Sequence, residues 1–376
     1  MIKIVHLITD LAVGGAEMML YKLLRGMERR RFQNVVVSMA SGGSLADKIT
    51  ALDIPVYSLD LRRGAPNPAA LWRLRRVLRQ VKPHVLQTWL YHADLLGLVA
   101  GKWAGVPALA WNVRCSEMDL RRYSRLTSYV VRILSRLSAL PDVVMVNSEA
   151  GRRFHEALGY HPRCWQLIPN GFDLEQFRPD AAARISFRRE IGIPEESLLI
   201  GLLARFDPMK DHDNFLKAAG LLRKRQPDVH FVMAGRGVDL NNSILNRSIR
   251  DQALEGRVHR LGERSDVATI LAAMDITTST SYGEGFPNVI GEAMACGVPC
   301  VVTDTGDCAQ IVADSGRVVP PKQPQAFVAA WNELIEMGPS GRNALGQRAR
   351  RRIEEHFNLP VIVSKYEAVY SSLFTQ

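Results

Sequence analysis

Short runs of apolar and β-branched residues alternate with helix-like patterns along the 376-residue chain. Such alternation is typical of βαβ units, in which each helix connects two parallel strands. A turn-rich stretch at 169–180 interrupts the rhythm, which then starts again. The sequence therefore predicts an α/β protein with two Rossmann-like, doubly wound parallel-sheet domains, over 1–174 and 175–360.

The pattern also predicts where the elements lie. Strands are expected at 2–9, 34–39, 84–88, 143–147, 165–168, 198–204, 230–234, 257–261, 276–281 and 299–303. In the first half, helices are expected over 16–29 and 68–81, and each strand of the second half alternates with a helix. A last helix, over 361–376, fits against either domain by periodicity alone. Because ligands bind beyond the carboxyl ends of parallel strands, we expect a site in the crevice between the domains.

Three of the loops that follow predicted strands carry glycines or cations. Gly14-Gly15 precedes a helix whose first amides suit an anion, although an ordinary turn is equally compatible. Arg205 and Lys210 suit a diphosphate, or else form salt bridges with Asp207 or Asp211. Gly235 and Gly237 flank Arg236 and suit close approach to a ribose or phosphate, or form a plain turn.

The fourth loop, 281–294, is the most distinctive. Pro287 suits the first turn of a helix, which places Glu284 ahead of that helix and Glu292 beyond its first turn. The amides near Asn288 and Val289 then lie at the helix start. Two carboxylates and these amides could hold sugar hydroxyls, phosphate and ribose hydroxyls. The apolar residues around Glu292 predict a carboxylate with a partner, because burying an unpaired charge is costly.

Together these segments resemble the retaining nucleotide-sugar glycosyltransferases of family 4, which have the GT-B fold. The strongest element is the Glu-x7-Glu motif, Glu284 and Glu292, within EGFPNVIGEAMACGVPCVVTD. The supporting segments are ARFDPMKDHDNFLKAA, GGAE, IPNGFD and LGERSDV. The resemblance covers nearly the whole chain and implies that the last helix crosses back onto the first domain.

The resemblance also implies roles for individual residues. Arg205 and Lys210 would bind the donor diphosphate, Glu292 the ribose, and Glu284 the transferred sugar. The residues that would assist at the donor are Gly15, Gly235, Gly262 through Arg264 beside the base, and the backbone of Gly285, Phe286, Asn288 and Val289. His92 best matches a histidine that meets the donor sugar in this family. Two positions depart from the family pattern, which often has Asp at Arg236 and Gly at Asp211.

The implied reaction transfers a hexose or N-acetylhexosamine from a nucleoside-diphosphate sugar, with UDP favoured, to a glycan or lipid-linked acceptor in cell-surface polysaccharide or lipopolysaccharide biosynthesis. We expect front-face attack by the acceptor hydroxyl, with the leaving diphosphate taking its proton. Arg205, Lys210 and the helix amides would stabilise the developing charge. No Asp-x-Asp motif stands out, so we predict that no metal or other cofactor is needed. A non-catalytic sugar-nucleotide-binding scaffold on the same fold is the alternative.

The charge distribution bears on the acceptor. Residues 1–175 hold 24 Lys+Arg and 14 Asp+Glu, a net charge of +10, whereas residues 176–376 hold 24 of each. Arginines share one side of the helices expected at 71–81 and 119–140: Arg73, Arg75, Arg76, Arg79, Arg121, Arg122, Arg125, Arg132 and Arg136. An anionic membrane surface would attract them, although a solvated helix face or an acidic acceptor would also account for them. Charge alone suggests nucleic acid, and no zinc-finger or RNA-binding motif supports it, so none is expected.

The remaining features indicate the compartment. Five cysteines form no metal-ligand or disulfide framework, which is typical of a reducing cytoplasm. The chain starts directly in a strand pattern, and the apolar stretch at 95–111 is too short to span a membrane. We therefore expect a cytoplasmic protein, and the membrane interpretation of the basic half would place it at the inner face of the cytoplasmic membrane.

Overall fold

The computed structural model describes residues 1–12, 14–61, 67–114 and 125–375. These residues divide into two compact units, one of Met1–Gly171 with Leu359–Gln376 and one of Phe172–Asn358. The first unit therefore ends three residues before the predicted position 174. Arg121 and Arg122 of the predicted arginine face lie outside the described residues.

The first unit is built on a parallel sheet. Its described strands are β1 (Ile2–Ile8), β2 (Phe32–Ser38), β3 (Val56–Ser58), β4 (Val85–Trp89), β5 (Ala108–Val113), β6 (Val143–Val146) and β7 (Trp165–Leu167). The described helices between them are α1 (Gly15–Gly26), α2 (Ser44–Thr50), α3 (Pro68–Val81), α4 (Tyr91–Ala104), α5 (Arg125–Leu137) and α6 (Glu149–Ala157). The strand order is β3-β2-β1-β4-β5-β6-β7. All strands are parallel, and the order in which the chain adds them to the sheet reverses between β1 and β4.

The second unit repeats the plan with a smaller parallel sheet. Its described strands are β8 (Leu199–Leu203), β9 (His230–Ala234), β10 (Val258–Arg260), β11 (Ile276–Ser279), β12 (Cys300–Thr303) and β13 (Arg317–Val319). Its α-helices are α7 (Ala181–Glu190), α8 (His212–Arg223), α9 (Ser243–Asp251), α10 (Val267–Ala272), α11 (Asn288–Ala295), α12 (Cys308–Val312), α13 (Pro324–Glu336) and α14 (Gly338–His356). The strand order is β10-β9-β8-β11-β12-β13, with the reversal between β8 and β11.

The last helix, α15 (Leu359–Thr375), belongs to the first unit. Its buried tyrosines join the hydrophobic core on one face of the sheet. Tyr370 donates a hydrogen bond to Gln87 of β4, and the Asn112 amide of β5 donates to the Tyr366 hydroxyl over 3.2 Å. These contacts attach residues more than 250 positions apart in the chain to one sheet.

Helices α3, α4 and α5 cover the other face of this sheet. They bury a second apolar cluster that includes Leu74, Leu78, Leu98, Val130 and Leu134. Helix α4 packs against both of its neighbours. The three helices therefore form one layer whose outer side is exposed.

Candidate active site

The predicted donor residues of the second unit follow β8 and β11, the two parallel strands between which the strand order reverses. Arg205 and Lys210 come after β8, and Glu284 comes after β11, its hydrogen-bonded neighbour. The carboxyl end of such a switch point is where doubly wound sheets bind ligands. The first unit repeats this arrangement, because Gly15 follows β1 and His92 follows β4.

The centre of the site in the second unit is an ion pair. Lys210 Nζ donates a hydrogen bond to Glu284 Oε1, and Ser281 Oγ donates to the same oxygen over 2.6 Å. The side chains of Lys210 and Glu284 are 20% and 11% exposed, so water screens the pair only partly. Sequence reasoning missed Ser281, although a hydroxyl between a strand end and Glu284 was a signal for it.

The loop after β8 is held against the loop after β11. Pro208–Lys210 forms a short 3-10 turn, and the Tyr282 amide donates to the Met209 carbonyl over 3.0 Å. Thr280 Oγ1 donates to the Lys210 carbonyl over 2.8 Å. These bonds fix the backbone on both sides of the ion pair, so its geometry does not depend on the two long side chains alone.

Arg205 lies at the solvent edge of the site. Its side chain is 63% exposed, and its guanidinium lies 3.1 Å from Asp207, which is the salt bridge that the sequence left open as the alternative to diphosphate binding. Partial burial would raise the pKa of Asp207, but hydrogen bonds from the Met209 amide and from Arg205 hold it below its usual value. Both predicted diphosphate ligands are thus balanced by carboxylates of the same unit.

Asp211, where the family often has glycine, has a left-handed backbone with φ of 50°. Glycine adopts this conformation without strain, and aspartate tolerates it better than most residues. The Asp211 side chain also caps α8 by accepting a hydrogen bond from the Asn214 amide at 3.4 Å. The departure from the family pattern therefore keeps the turn and adds a cap.

Helix α11 brings the remaining motif residues to the site. The helix begins at Asn288, so Pro287 is its N-cap and lies just before the first turn in which the sequence placed it. The first amides of a helix point away from its own carbonyls and toward any anion at its start. Glu292 lies in the second turn and is half-buried, in agreement with a carboxylate that is not idle in solvent.

The residues just before α11 pack against other side chains and loops of the second unit. Phe286 is buried, with its ring 6.1 Å from Phe172 and 5.8 Å from Phe357, so only its backbone can reach a ligand. The Gly285 carbonyl accepts a hydrogen bond from the Asp307 amide at 3.0 Å. A Cβ atom on Gly306 would lie 2.3 Å from the Glu284 carbonyl oxygen, so glycine is needed at this position for the loop to pack.

The loops after β9 and β10 form the side of the site. The Gly235 amide donates to the Gly262 carbonyl over 2.7 Å, and a Cβ atom on Gly235 would collide with the Ala204 carbonyl. Arg236, in place of the family's frequent aspartate, is exposed and lies 3.4 Å from Glu263. The glycines thus bring three loops together, while the Arg236 side chain lies in solvent.

Arg264 is held by two carboxylates of the same unit. It lies 2.6 Å from Asp266 and 2.7 Å from Glu190. Hydrogen bonds from Arg264 to Asp266, and then to Glu190, raise the pKa of this guanidinium further above its usual value. With its side chain held in this way, the main chain of this segment is the part that can contact a base.

The two predicted residues of the first unit lie at helix starts. Gly15 is exposed and is the first residue of α1, whose cap, Gly14, has an extended backbone. His92 is half-buried in the first turn of α4, and its Nε2 lies 3.3 Å from Thr127 Oγ1 on α5. Burial lowers the pKa of His92, which favours the neutral ring at neutral pH.

A buried carboxyl group lies two residues after His92 on α4. Asp94 is fully buried and accepts a hydrogen bond from Thr88 Oγ1 at 2.5 Å. Burial raises the pKa of Asp94 well above its usual value, although the hydrogen bond from Thr88 opposes this shift. The sequence did not indicate that this carboxyl group is buried, because a single acidic residue in a helix is usually exposed at the surface.

Two family models match the chain. The model for glycosyl transferases group 1 matches residues 183–352, and the model for glycosyltransferase family 4 matches residues 13–176. Among solved structures, Anabaena HepE in complex with UDP is similar, with a TM-score of 0.85 and 22% identity over 99% of this chain and all of that chain. The fold is therefore GT-B, as the sequence predicted, and the protein is a glycosyltransferase. It belongs to glycosyltransferase family 4.

Curated relatives share this class over most of their length. The UDP-Gal:alpha-D-GlcNAc-diphosphoundecaprenol alpha-1,3-galactosyltransferase of Escherichia coli is 24% identical over 98% of this chain and 96% of its own. The N,N'-diacetylbacillosaminyl-diphospho-undecaprenol alpha-1,3-N-acetylgalactosaminyltransferase of Campylobacter jejuni is 27% identical over 71% of this chain and 72% of its own.

Two further observations concern membranes and metals. None of the helices in the described ranges is long and apolar enough to cross a membrane. Within those ranges, His, Cys, Asp and Glu side chains do not gather in groups of three or more that could hold a metal ion.

Proposed function

We propose that this enzyme transfers a hexose or N-acetylhexosamine from a UDP-sugar to a lipid-linked or glycan acceptor, with retention of anomeric configuration. The ion pair of Lys210 and Glu284 at the switch point, with Ser281 on the same oxygen, carries the proposal. In this pair a cation that can bind a diphosphate lies beside a carboxylate that can accept hydrogen bonds from sugar hydroxyls. The names of the Escherichia coli and Campylobacter jejuni relatives support a diphosphoundecaprenol-linked acceptor, and the former also supports UDP.

In this proposal Lys210 binds the donor diphosphate without leaving Glu284. An ammonium group has three donors, of which Glu284 takes one. Arg205, at the exposed edge, exchanges Asp207 for phosphate oxygens, to which its planar group can donate two parallel hydrogen bonds. The amides at the start of α11, from Asn288 and Val289, add to the positive potential around the leaving group.

The other residues position the sugar and the nucleoside. Ser281 fixes the Glu284 carboxylate so that it accepts hydrogen bonds from the sugar hydroxyls. Glu292 binds the ribose, the Gly235 loop approaches the ribose or phosphate, and the backbone of Gly262 through Arg264 borders the base. Gly15 contributes backbone to the phosphates from the first unit, and neutral His92 exchanges hydrogen bonds with the transferred sugar.

The chemical step places the acceptor hydroxyl on the same face of the sugar as the leaving group. The bond between the anomeric carbon and the phosphate oxygen breaks, and its electron pair stays with the diphosphate. The acceptor oxygen bonds to the anomeric carbon and gives its proton to the departing phosphate oxygen. Lys210 and Arg205 stabilise the charge that develops there, as preorganised cations do in other transfer enzymes.

No metal ion or other cofactor takes part in this proposal, because the two cations supply the charge stabilisation. For a lipid-linked acceptor we expect the enzyme to act in the cytoplasm, at the inner face of the cytoplasmic membrane, with the basic first unit toward anionic headgroups.

The test is a panel of UDP- and GDP-sugars, scored by nucleotide release and then by transfer to undecaprenyl-diphosphate-linked sugars. We expect UDP release from one UDP-sugar, an α-linked product from an α-linked donor, and loss of both in Lys210→Ala. The matched control is Lys217→Ala, which removes a lysine from an exposed pair with Asp213. Donor binding without turnover across the panel would instead indicate the scaffold function.

A further inference from the structure

The outer side of helices α3, α4 and α5 combines aromatic, aliphatic and cationic side chains. We call this surface the three-helix face. We infer that the three-helix face docks onto an anionic phospholipid bilayer, with Trp72 and Trp103 inserted at the level of the headgroups. The inference rests on the proposed function, because a lipid-linked acceptor lies in a bilayer. It adds the surface through which the enzyme would reach that bilayer.

The first observation is an exposed aromatic pair. Trp72 on α3 is 59% exposed and Trp103 on α4 is 39% exposed, and their rings meet edge to face with centroids 4.4 Å apart. The Arg75 guanidinium carbon lies 4.2 Å from the Trp103 centroid. Indole rings with neighbouring cations are typical of the bilayer interface, where the ring body is in an apolar region and the polar edge is hydrated.

The second observation is that aliphatic side chains lie among the arginines of α5. Leu126, Tyr129 and Ile133 are 40%, 60% and 42% exposed. At 100° per residue they share an arc of about 120° with the exposed Arg125, Arg132 and Arg136. The sequence had suggested a solvated arginine face as an alternative, but such a face does not account for exposed apolar residues within it.

The third observation is the sign of the charge. The exposed or half-buried cations of the three-helix face are Arg73, Arg75, Arg76, Arg79, Lys102, Arg125, Arg132 and Arg136. In the described residues of these helices the one carboxyl group is Asp94, which is fully buried and so is not part of the exposed face. A second copy of the same face would be repelled, whereas an anionic bilayer complements the charge.

A bilayer explains the combination better than nucleic acid does. Phosphates of a duplex would engage the arginines, but they offer nothing apolar to Val99, Leu126 or Ile133. A lipid surface contacts both kinds of side chain, because cations meet the headgroup phosphates while the apolar groups reach the acyl boundary. The exposed side chains of α3, α4 and α5 are therefore best matched by lipid.

The test is cosedimentation of the full-length protein with vesicles of phosphatidylethanolamine and phosphatidylglycerol, compared with phosphatidylcholine. We expect binding to the anionic vesicles and a weakening of roughly fivefold for each cation removed in Arg132→Gln with Arg136→Gln. The matched control is Arg348→Gln with Arg351→Gln, which removes two exposed cations from α14 and should leave binding unchanged.

The aromatic anchors are tested separately. Trp72→Ala with Trp103→Ala should weaken binding more than tenfold, since both rings leave the interface. Ile185→Ala with Met337→Ala, which truncates two partly exposed apolar residues of the second unit, should not. Brominated lipids should quench part of the tryptophan emission of the wild type, and Trp72→Phe with Trp103→Phe should abolish that quenching.

Three results would overturn the inference: no binding to anionic vesicles, binding that survives the loss of both tryptophans, or retention of duplex DNA by a protein that ignores vesicles. UDP-sugar hydrolysis in vesicle-free solution separates this failure from failure of the proposed function. We expect all docking variants to keep that hydrolysis. A protein that hydrolyses the donor but ignores vesicles would keep its proposed chemistry and lose only the docking surface.

Discussion

Lys210 and Glu284 form an ion pair across 74 residues of chain, and the pair joins the ends of two adjacent strands. Each residue follows one of the two parallel strands, β8 and β11, between which the strand order of the second sheet reverses. The pair therefore fixes two loops to each other at the place where such a sheet binds ligands.

Removing the lysine should abolish most turnover. We expect Lys210→Ala to lower kcat by about 100- to 1,000-fold, because a preorganised cation at the leaving group is lost. Glu284→Gln should also lower kcat, while the amide oxygen still accepts from Ser281. Steady-state UDP release checks both variants, with circular dichroism to establish folding. Turnover of Lys210→Ala equal to that of the Lys217→Ala control would remove Lys210 from the mechanism.

Replacing Gly306, which packs against the Glu284 loop, should lower kcat as well as strain the backbone. Gly306 and Gly256 both have positive φ, 57° and 70°, but only at Gly306 would a Cβ atom collide, with the Glu284 and Gly285 carbonyls. Both substitutions to alanine should cost about 1–2 kcal/mol of strain. Gly306→Ala should also displace Glu284 and reduce kcat at least tenfold, whereas Gly256→Ala should keep it. Equal kcat values for the two variants would contradict this packing argument.

The aspartate after Lys210 should show a characteristic order of stabilities. Asp211→Ala loses both a helix cap and the tolerance for left-handed backbone, so its free energy of unfolding should fall by about 2 kcal/mol. Asp211→Gly should stay within about 0.5 kcal/mol of wild type, because glycine is unstrained there and is an acceptable cap. Urea denaturation measures both values.

The control for that order is Asp180, which caps α7 from an extended backbone. Asp180→Ala should cost about 1 kcal/mol, the value of the cap alone. If Asp211→Ala and Asp180→Ala proved equally destabilising, the left-handed backbone of Asp211 would contribute no strain.

A buried histidine should make the first unit sensitive to acid. His155 accepts a hydrogen bond from the Tyr91 hydroxyl at 2.9 Å and donates to the Gly151 carbonyl over 2.7 Å, as the neutral ring. Burial lowers the pKa of His155 from 6.5 to about 4. The unfolded chain therefore binds this proton first as pH falls from 6.5 toward 4. Over that window the free energy of unfolding should drop by about 1.4 kcal/mol per pH unit from this residue.

Denaturation by urea at several pH values checks this slope. His155→Asn should flatten it by one proton's contribution, while His161→Asn, at an exposed position, should follow the wild type. A His155→Asn variant with the wild-type slope would show that other groups account for the acid sensitivity.

Chelation should leave the enzyme active, since Lys210 and Arg205 are proposed to supply the charge at the diphosphate. UDP release in excess EDTA should equal that in buffer. A loss of activity that Mn²⁺ or Mg²⁺ restores would show that the cations do not suffice.

Local sequence patterns predicted much of the fold. The strands at the centres of both sheets lie within two residues of their expected bounds, because their buried apolar runs have one interpretation. Strands β3 and β13 escaped prediction because each is only three residues long and includes an exposed residue, so neither has a buried apolar run. Strand β5 escaped because its apolar residues continue those of α4, and composition does not mark where a helix ends and a strand begins.

The site was less accessible to sequence reasoning, since strand order is a long-range property. Nothing near Lys210 or Glu284 in the sequence indicates that β8 and β11 are neighbours, so their ion pair was not predicted. The same limit applies to α5, where periodicity separates two sides but does not show how much of Tyr129 or Ile133 the sheet leaves uncovered.

The return of α15 to the first unit has a consequence for biosynthesis. Tyr366 and Tyr370 complete a core that the first 171 residues begin, so that core stays open on one face until residues near 370 have been translated. The second unit consists of Phe172–Asn358, so its whole chain has been translated before α15 is made. During vectorial synthesis the domain made first is therefore the domain finished last, and its apolar sheet face needs protection while the other domain emerges.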